Sequence, residues 1–196
     1  MNLQAVLEYL FPPQCGGCAR PGWGLCEECA PPCAAFVRRL ETITVSAAGL
    51  YEGPLRRAVL ALKSGRRDVA RAAALRLADM LQERCPVVPV PTTAARRRER
   101  GFDGCVLMAN VAAAWNGSIV LPHLRQVRGD RQRGRSRVQR LAARGRFLWH
   151  GEPLNGMSIV LLDDVVTTGA TLEDCARAVR DAGGAVSRAV ALALTA

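Results

Sequence analysis

The chain has 196 residues, of which 49% are apolar, which is enough for one α/β domain and a small additional unit. Its formal net charge is +10, and the window 96–146 supplies the excess with thirteen arginines against three acidic residues. No apolar run approaches the roughly 18 residues of a membrane span, and the first eleven residues carry no basic residue of the kind found in secretory signals. We therefore expect a cytoplasmic protein without a membrane span.

The N-terminal segment is predicted to form a short amphipathic helix followed by a cysteine-rich head. The helix would present one apolar face, formed by Leu3, Val6, Leu7 and Leu10. The head contains C-x₂-C-x₇-C-x₂-C, formed by Cys15, Cys18, Cys26 and Cys29. Two such thiolate pairs can surround one tetrahedral Zn²⁺ and leave no position open for catalysis, so the predicted zinc is structural. A redox-active dithiol pair is the alternative. Cys33 is a fifth cysteine nearby that could replace one of the four ligands.

Strands and helices alternate along the rest of the chain, which predicts a parallel sheet with helices packed against it. The predicted strands cover residues 43–51, 87–90, 118–121, 147–149, 159–162 and 186–194. The predicted helices are one from Gly53 to the Ser64–Gly65 break, one capped by Asp68 and running to Glu83, one through Met108, Val111 and Trp115, and one over 170–181.

The remaining segments are predicted to be less regular. Residues 92–101 form an arginine-rich loop, and residues 122–146 are polar, basic and long enough for a mobile flap. Three further cysteines, Cys85, Cys105 and Cys175, lie in apolar or helical contexts and are interpreted as small core residues.

The most informative stretch is residues 160–171, V-L-L-D-D-V-V-T-T-G-A-T. It is typical of a buried strand that is followed by two acids, Asp163 and Asp164, and then by a turn that opens a helix. Free backbone N–H groups at a helix N-terminus attract a phosphate. The paired carboxylates suit the hydroxyls of a sugar diol or a hydrated Mg²⁺. The implied ligand therefore carries a phosphate, vicinal hydroxyls and a metal ion.

The arginine-rich window offers a second set of anion-binding groups. Arginine binds phosphates through two parallel hydrogen bonds, so the window suits a pyrophosphate, a nucleic-acid backbone, or both; a solvated basic face is the alternative. Residues 96–146 contain only two aromatic residues, Phe102 and Trp115. That scarcity counts against base stacking on single-stranded DNA, although not against contacts to its phosphates.

The motif D-D-V-V-T-T-G-A-T resembles the phosphoribosyl pyrophosphate (PRPP) signature of type I phosphoribosyltransferases. The resemblance implies that Asp163 and Asp164 are catalytic residues that hold the ribose hydroxyls and orient Mg²⁺-bound PRPP. It also implies a 5′-phosphate loop formed by Val165, Val166, Thr167, Thr168, Gly169, Ala170 and Thr171. We assign the pyrophosphate side to Arg96, Arg97, Arg98 and Arg100, with Lys63 as an additional candidate.

The order of several short motifs resembles the ComF family, the phosphoribosyltransferase-like proteins of bacterial DNA uptake. The motifs are the cysteine head, Tyr51-x-Gly-Pro-Leu-Arg, Leu62-Lys63, Val88-Pro-Val-Pro, Arg98-x-Arg-Gly-Phe and the PRPP loop. The family usually has Asn and Gln where this chain has Asp103 and Gly104. The resemblance implies a zinc-binding head and N-terminal helix in residues 1–40 and a phosphoribosyltransferase-like domain in residues 41–196.

These observations predict an α/β fold of the type I phosphoribosyltransferase kind, with a parallel sheet flanked by helices and a small four-cysteine zinc-finger subdomain. The expected function is PRPP binding in natural transformation, with transfer of phosphoribose to an unidentified acceptor. The alternatives are a non-catalytic PRPP sensor and a competence factor that binds single-stranded DNA. The family resemblance also implies a DNA-translocating helicase as a partner.

Overall fold

The computed structural model describes residues 12–30, 36–81, 84–127 and 145–196. The predicted N-terminal helix, Cys33 and most of the predicted flap lie outside the described residues. Within these ranges, no helix combines the length and hydropathy needed to cross a bilayer.

Twelve helices and strands are described in these four ranges. In chain order they are β1 (Phe36–Arg39), β2 (Thr44–Leu50), α1 (Gly53–Lys63), α2 (Arg67–Met80), β3 (Val87–Pro89), α3 (Ala94–Arg100), α4 (Gly104–Asn116), β4 (Leu124–Gln126), β5 (Phe147–Trp149), β6 (Ser158–Val166), α5 (Ala170–Asp181) and β7 (Ala185–Leu194).

The centre of the fold is a five-stranded sheet with the order β1-β2-β7-β6-β3. The pairs β2–β7, β7–β6 and β6–β3 are parallel, and β1 alone runs antiparallel to its neighbour β2. The predicted α/β class with a mainly parallel sheet is therefore confirmed. Strand β1 was not predicted. It belongs to this sheet although its residues precede residue 40, the predicted boundary between the two domains.

Both faces of the sheet are covered, which explains the continuous apolar run in β6. Val160 and Leu162 belong to a core that includes buried residues of α1, α2 and α4. Ile159 and Leu161 belong to a second core with buried residues of α5 and of the β4–β5 hairpin. Because alternate side chains of one strand point to opposite faces, β6 anchors both cores and holds its C-terminal end in a fixed position.

Four predictions about local structure outside the acid motif are wrong. Asp68 does not cap α2, because the helix begins at Arg67 and its N-cap residue is Arg66. Helix α2 ends at Met80, with Leu81 as its C-cap residue, whereas the prediction extended it to Glu83. Residues 118–121 form no strand, since Val120 makes only an isolated bridge to Val87.

The fourth correction concerns residues 92–101, which contain helix α3 instead of a continuous loop. The Thr93 side chain accepts a hydrogen bond from the Arg96 N–H at 3.2 Å and so caps the helix. Gly101 ends it in the left-handed conformation, with φ 75°. The alanine, arginine and glutamate side chains between these caps favour a helix.

Candidate ligand site and cysteine cluster

The two acids of the motif lie within β6, not after it as predicted, because the strand pairs with β7 as far as Val166. They border a cleft of about 270 Å³ at the carboxyl ends of the neighbouring parallel strands β3 and β6. This edge of an α/β sheet is where ligands usually bind. Lys63, Arg96, Arg100, Val165 and Thr171 also line the cleft.

Asp163 lies at the buried side of this cleft, with 8% of its surface exposed. Its Oδ1 accepts a hydrogen bond from the Asp164 backbone N–H at 2.8 Å. Burial, followed by the neighbouring charge of Asp164, raises the pKa of Asp163 to about 7. The carboxyl group is therefore an acid whose charge changes near neutral pH.

Asp164 is less buried and has a cationic partner. Lys63 Nζ lies 3.5 Å from Asp164 Oδ2, and Asp164 Oδ1 accepts a hydrogen bond from the Val165 N–H at 2.7 Å. Lys63 belongs to the last turn of α1, where a cation is favoured by the helix dipole. The structure thus brings the predicted lysine into contact with the predicted acid pair.

Cys105 is part of the same site, although the sequence suggested only a core role. Its Sγ donates to Asp163 Oδ1 at 3.7 Å. Burial, with the charge of Asp163 second, raises the pKa of the Cys105 thiol well above its usual value. The group therefore remains a neutral thiol beside the carboxylates. Nothing in the sequence pattern distinguished this cysteine from a core residue.

Asp103 fixes Cys105 from the start of α4. Its Oδ1 accepts hydrogen bonds from the N–H groups of Cys105 and Val106, at 3.1 and 3.3 Å, and so caps the helix. Its Oδ2 accepts a hydrogen bond from the Thr92 N–H at 3.1 Å. An aspartate just before a helical pattern is a capping signal, so this role was detectable in the sequence.

The donor set fits a hydrated magnesium ion. Oxygen atoms of Asp163 and Asp164 and the sulfur of Cys105 lie within 4.8 Å of one another. Mg²⁺ prefers one or two carboxylates together with water and substrate phosphates, whereas a neutral thiol is a poor ligand for it. The two aspartates are therefore the residues that would hold the ion.

The predicted phosphate turn leads from β6 into α5. Gly169 is the N-cap of α5, with φ 83°, a conformation that favours glycine. Val165 and Thr171 line the cleft, whereas Thr168 and Ala170 line a separate surface recess. Val166 is buried in the core. Thr167 is exposed, and its backbone carbonyl accepts a hydrogen bond from Arg38.

The four predicted arginines of α3 face different surroundings. Arg96 and Arg100 line the cleft, and Arg97 lines an adjoining cavity. Arg98 lines neither of these two spaces. No partner is described for the guanidinium groups of Arg96, Arg97, Arg98 and Arg100 among the residues that the structure describes.

Arg146 is a site residue that the motifs did not identify. It lines the cleft beside Thr171, and its Nη2 lies 3.5 Å from Thr171 Oγ1. Its Nε is 3.8 Å from a carboxylate oxygen of Asp174 on α5. One guanidinium thus lies next to the residue that ends the predicted phosphate loop. Its proximity depends on the packing of β5 against α5, which local sequence patterns do not show.

The four cysteines of the head form one cluster, and it is compatible with a structural zinc. All four sulfur atoms lie within 4.8 Å of one another. Cys26 Sγ is 3.6 Å from Cys15 Sγ and 3.7 Å from Cys18 Sγ. Tetrahedral coordination with Zn–S bonds of about 2.3 Å requires sulfur separations of about 3.8 Å. The backbone N–H groups of Gly17 and Cys26 both donate to Cys15 Sγ at 3.3 Å.

The head is attached to α1 and α2 by polar contacts. Arg57 Nε donates to the Gly17 carbonyl, and Arg66 Nη2 donates to the Gln14 carbonyl at 2.6 Å. Asp68 Oδ2 accepts a hydrogen bond from the Gly24 N–H at 2.9 Å. The hydrogen bond from Arg66 is the main reason that the pKa of Asp68 is lowered to about 2. The residue predicted as a helix cap therefore fastens the cysteine head.

The chain is similar to a competence protein. It is 31% identical over 101 residues to the competence protein ComFC of Bacillus subtilis strain 168. The match covers 52% of this chain and 40% of the relative, so the aligned part spans less than half of that protein. No family model matches the chain. This partial similarity supports the ComF resemblance of the sequence motifs.

Proposed function

We propose that the cleft binds PRPP together with Mg²⁺ and that the fold around it is of the type I phosphoribosyltransferase kind. The observation that supports this most directly is the contiguity of Asp163, Asp164 and the turn into α5 at one edge of the sheet. Carboxylates for a diol and the N–H groups of a helix N-terminus for a phosphate are thus a few residues apart.

Each part of PRPP has residues suited to it. Asp163 and Asp164 accept hydrogen bonds from the ribose hydroxyls, and the turn 165–171 holds the 5′-phosphate through backbone N–H groups and the Thr171 side chain, which lines the cleft. Arg96, Arg100 and Lys63 line the cleft and supply positive charge for the pyrophosphate. Arg146 lies beside Thr171 and adds a cation between the two ends of the ligand.

The reaction that this arrangement suits is transfer of phosphoribose to a nitrogen acceptor. The bond from the anomeric carbon to the pyrophosphate oxygen breaks, and pyrophosphate leaves with the electron pair. Arg96, Arg100 and Lys63 stabilise the negative charge that develops on this leaving group. When bound, Mg²⁺ neutralises part of the same charge. Asp163 and Asp164 orient the ring whose carbon becomes electron-deficient.

The cysteine head and the similarity to ComFC extend the proposal beyond the cleft. Residues 1–40 hold a structural zinc through Cys15, Cys18, Cys26 and Cys29, and residues 41–196 form the PRPP-binding domain. Because the relative is a competence protein, we assign this chain a role in natural transformation. Single-stranded DNA and a DNA-translocating helicase are its proposed partners in that process.

Calorimetry with PRPP and Mg²⁺ tests the ligand assignment. The double substitution Asp163→Asn with Asp164→Asn is expected to reduce PRPP affinity at least about tenfold, because each substitution replaces a carboxylate acceptor with a neutral amide. Asp181→Asn is a matched control, because it removes an exposed carboxylate at the far end of α5. Unchanged affinity in the double variant contradicts the proposal.

Turnover is tested separately. Release of pyrophosphate that depends on an added nitrogen heterocycle identifies a transferase. PRPP binding without such release, over a broad panel of acceptors, identifies the non-catalytic sensor that the sequence left as an alternative.

A further inference from the structure

A second, larger cavity adjoins the candidate PRPP cleft. Its volume is about 860 Å³, and it shares six lining residues with the first cleft, namely Pro91, Thr92, Thr93, Asp103, Gln126 and Arg146. The two spaces therefore adjoin each other, and these residues lie on their common border. A molecule in the second cavity would lie next to a ligand held by Asp163 and Asp164.

The second cavity carries an excess of positive charge. Arg97, Arg125 and Arg146 line it, and Asp103 is the one acidic residue among its described lining residues. Asp103 is already satisfied, because its two oxygens accept three backbone hydrogen bonds. Arg97 has no described partner within the part of the chain that the structure covers. Its guanidinium is thus available to an anion.

Arg125 is held in place for such a ligand. Its Nη1 donates to the backbone carbonyls of Pro122 and Leu124, at 2.6 and 3.0 Å. These bonds use one nitrogen of the guanidinium, and an anion can bind to the others. Gln126 follows on the same strand and offers an amide donor and acceptor at the border between the two spaces.

Most of the remaining lining residues are apolar and suit a flat ring. Leu124 is buried, Val106 is half-buried and Pro122 is exposed, and all three line the cavity. Side chains of this kind pack on the face of an aromatic ring, while the polar groups at its edge fix its orientation. The cavity thus combines a non-polar surface with arginine side chains.

We infer that the second cavity takes the phosphoribose acceptor and that this acceptor is a planar nitrogen heterocycle bearing a carboxylate. The inference rests on the proposed function, because it assumes PRPP in the first cleft. Arg97 and Arg125 bind the carboxylate, and the apolar residues contact the ring. A ring nitrogen then forms a bond to the anomeric carbon as the bond to pyrophosphate breaks. Pyrophosphate leaves with that electron pair, and any proton on the attacking nitrogen passes to solvent.

Matched pairs of probes test this inference on the full chain. Pyridine-3-carboxylate is compared with pyridine-3-carboxamide, and 2,6-dioxopyrimidine-4-carboxylate with 2,4-dioxopyrimidine, by calorimetry with and without PRPP and Mg²⁺. In at least one pair, the carboxylated compound is expected to bind roughly tenfold or more tightly, a difference of about 1.4 kcal/mol. The inference is overturned if the neutral and the carboxylated compound bind equally in both pairs, or if none of the four compounds binds.

Substitutions connect that preference to the arginines. Arg97→Gln and Arg125→Gln are each expected to weaken binding of the carboxylated probe about tenfold. Arg125→Gln, which has no predicted role toward PRPP, is expected to leave PRPP affinity within about twofold. Arg71→Gln is the control, since it removes one exposed positive charge from α2.

Unchanged probe binding in both cavity variants overturns the inference, even where PRPP binds. If the wild-type chain does not bind PRPP, the proposed function is contradicted instead. The comparison of the probes without PRPP still tests the cavity in that case.

Discussion

The Arg38 guanidinium donates a hydrogen bond from Nη1 to the backbone carbonyl of Thr167 at 2.8 Å. Its Nη2 donates to the Thr195 carbonyl, so one side chain of β1 joins the phosphate turn to the end of β7. Leu40 packs against the same turn, because a Cβ added at Gly169 would meet its Cδ1 at 2.5 Å. The β1–β2 hairpin therefore supports the turn from outside the cleft.

Arg38→Gln is expected to weaken PRPP binding about fivefold to tenfold, because the turn loses a charge-assisted hydrogen bond that orients its N–H groups. The measurement is calorimetry with PRPP and Mg²⁺. Arg39→Gln is the control, since Arg39 is exposed on the same strand. Equal affinities for the two variants would show that this contact does not support the phosphate turn.

Asp163 makes stability depend on pH. Its pKa of about 7 in the folded chain exceeds the value of about 4 for an unfolded aspartate. Between these values the folded state holds a proton that the unfolded state has released, so the free energy of unfolding falls as pH rises from about 4 to about 7. Asp163→Asn should remove this part of the pH dependence and be more stable than wild type at pH 8. Chemical denaturation at pH 5 and pH 8 measures the effect, and identical pH slopes for the two chains would contradict it.

Asp103 is predicted to matter for stability through its cap. Asp103→Ala removes acceptors for the N–H groups of Cys105 and Val106 and should lower the free energy of unfolding by about 1–2 kcal/mol. Asp103→Asn retains a capping oxygen and should restore most of the loss. Urea denaturation of both variants measures this difference, and an alanine variant as stable as the asparagine variant would refute the role.

Removal of zinc should loosen the head. We expect one equivalent of Zn²⁺ per chain, and its chelation should lower the melting temperature because four buried or half-buried thiols lose their common partner. Cys26→Ser should reduce the metal content, whereas Cys175→Ser, in the second core, should not. Elemental analysis that finds no zinc in the native chain would contradict the assignment.

The arginine-rich window allows a test of DNA binding. If single-stranded DNA contacts these arginines, its affinity should fall steeply as salt rises from 50 to 200 mM, because bound counterions are released. PRPP affinity should fall less, since much of its site lies inside the cleft. Titration of both ligands over this salt range compares the slopes. Equal slopes would indicate one shared, exposed anion-binding surface.

Periodic patterns and caps predicted much of the fold. The start of α1 and the end of α5 agree with the prediction, because Gly53–Pro54 marks the first locally and Gly183–Gly184 marks the second. Helix α3 was not predicted because none of its seven residues is buried, so it has no apolar period, although Thr93 and Gly101 are ordinary cap residues. Strand β1 was missed since its four residues are stabilised by pairing with β2 and not by a strong pattern of their own.

The candidate site shows the same limit. Asp163, Asp164 and Thr171 were predictable because they belong to one contiguous motif. Cys105 and Arg146 reach the cleft from α4 and from the residue before β5, so only tertiary packing brings them to the acids. The Arg38 contact spans 129 positions in the chain, which no local pattern reveals.

A crystal structure with PRPP and Mg²⁺ tests the central proposal most directly. The ribose hydroxyls are expected to lie within hydrogen-bond distance of the Asp163 and Asp164 carboxylates, and the 5′-phosphate is expected to lie on the N–H groups of the turn 167–171. An empty cleft at saturating PRPP, or a phosphate bound away from that turn, would contradict it.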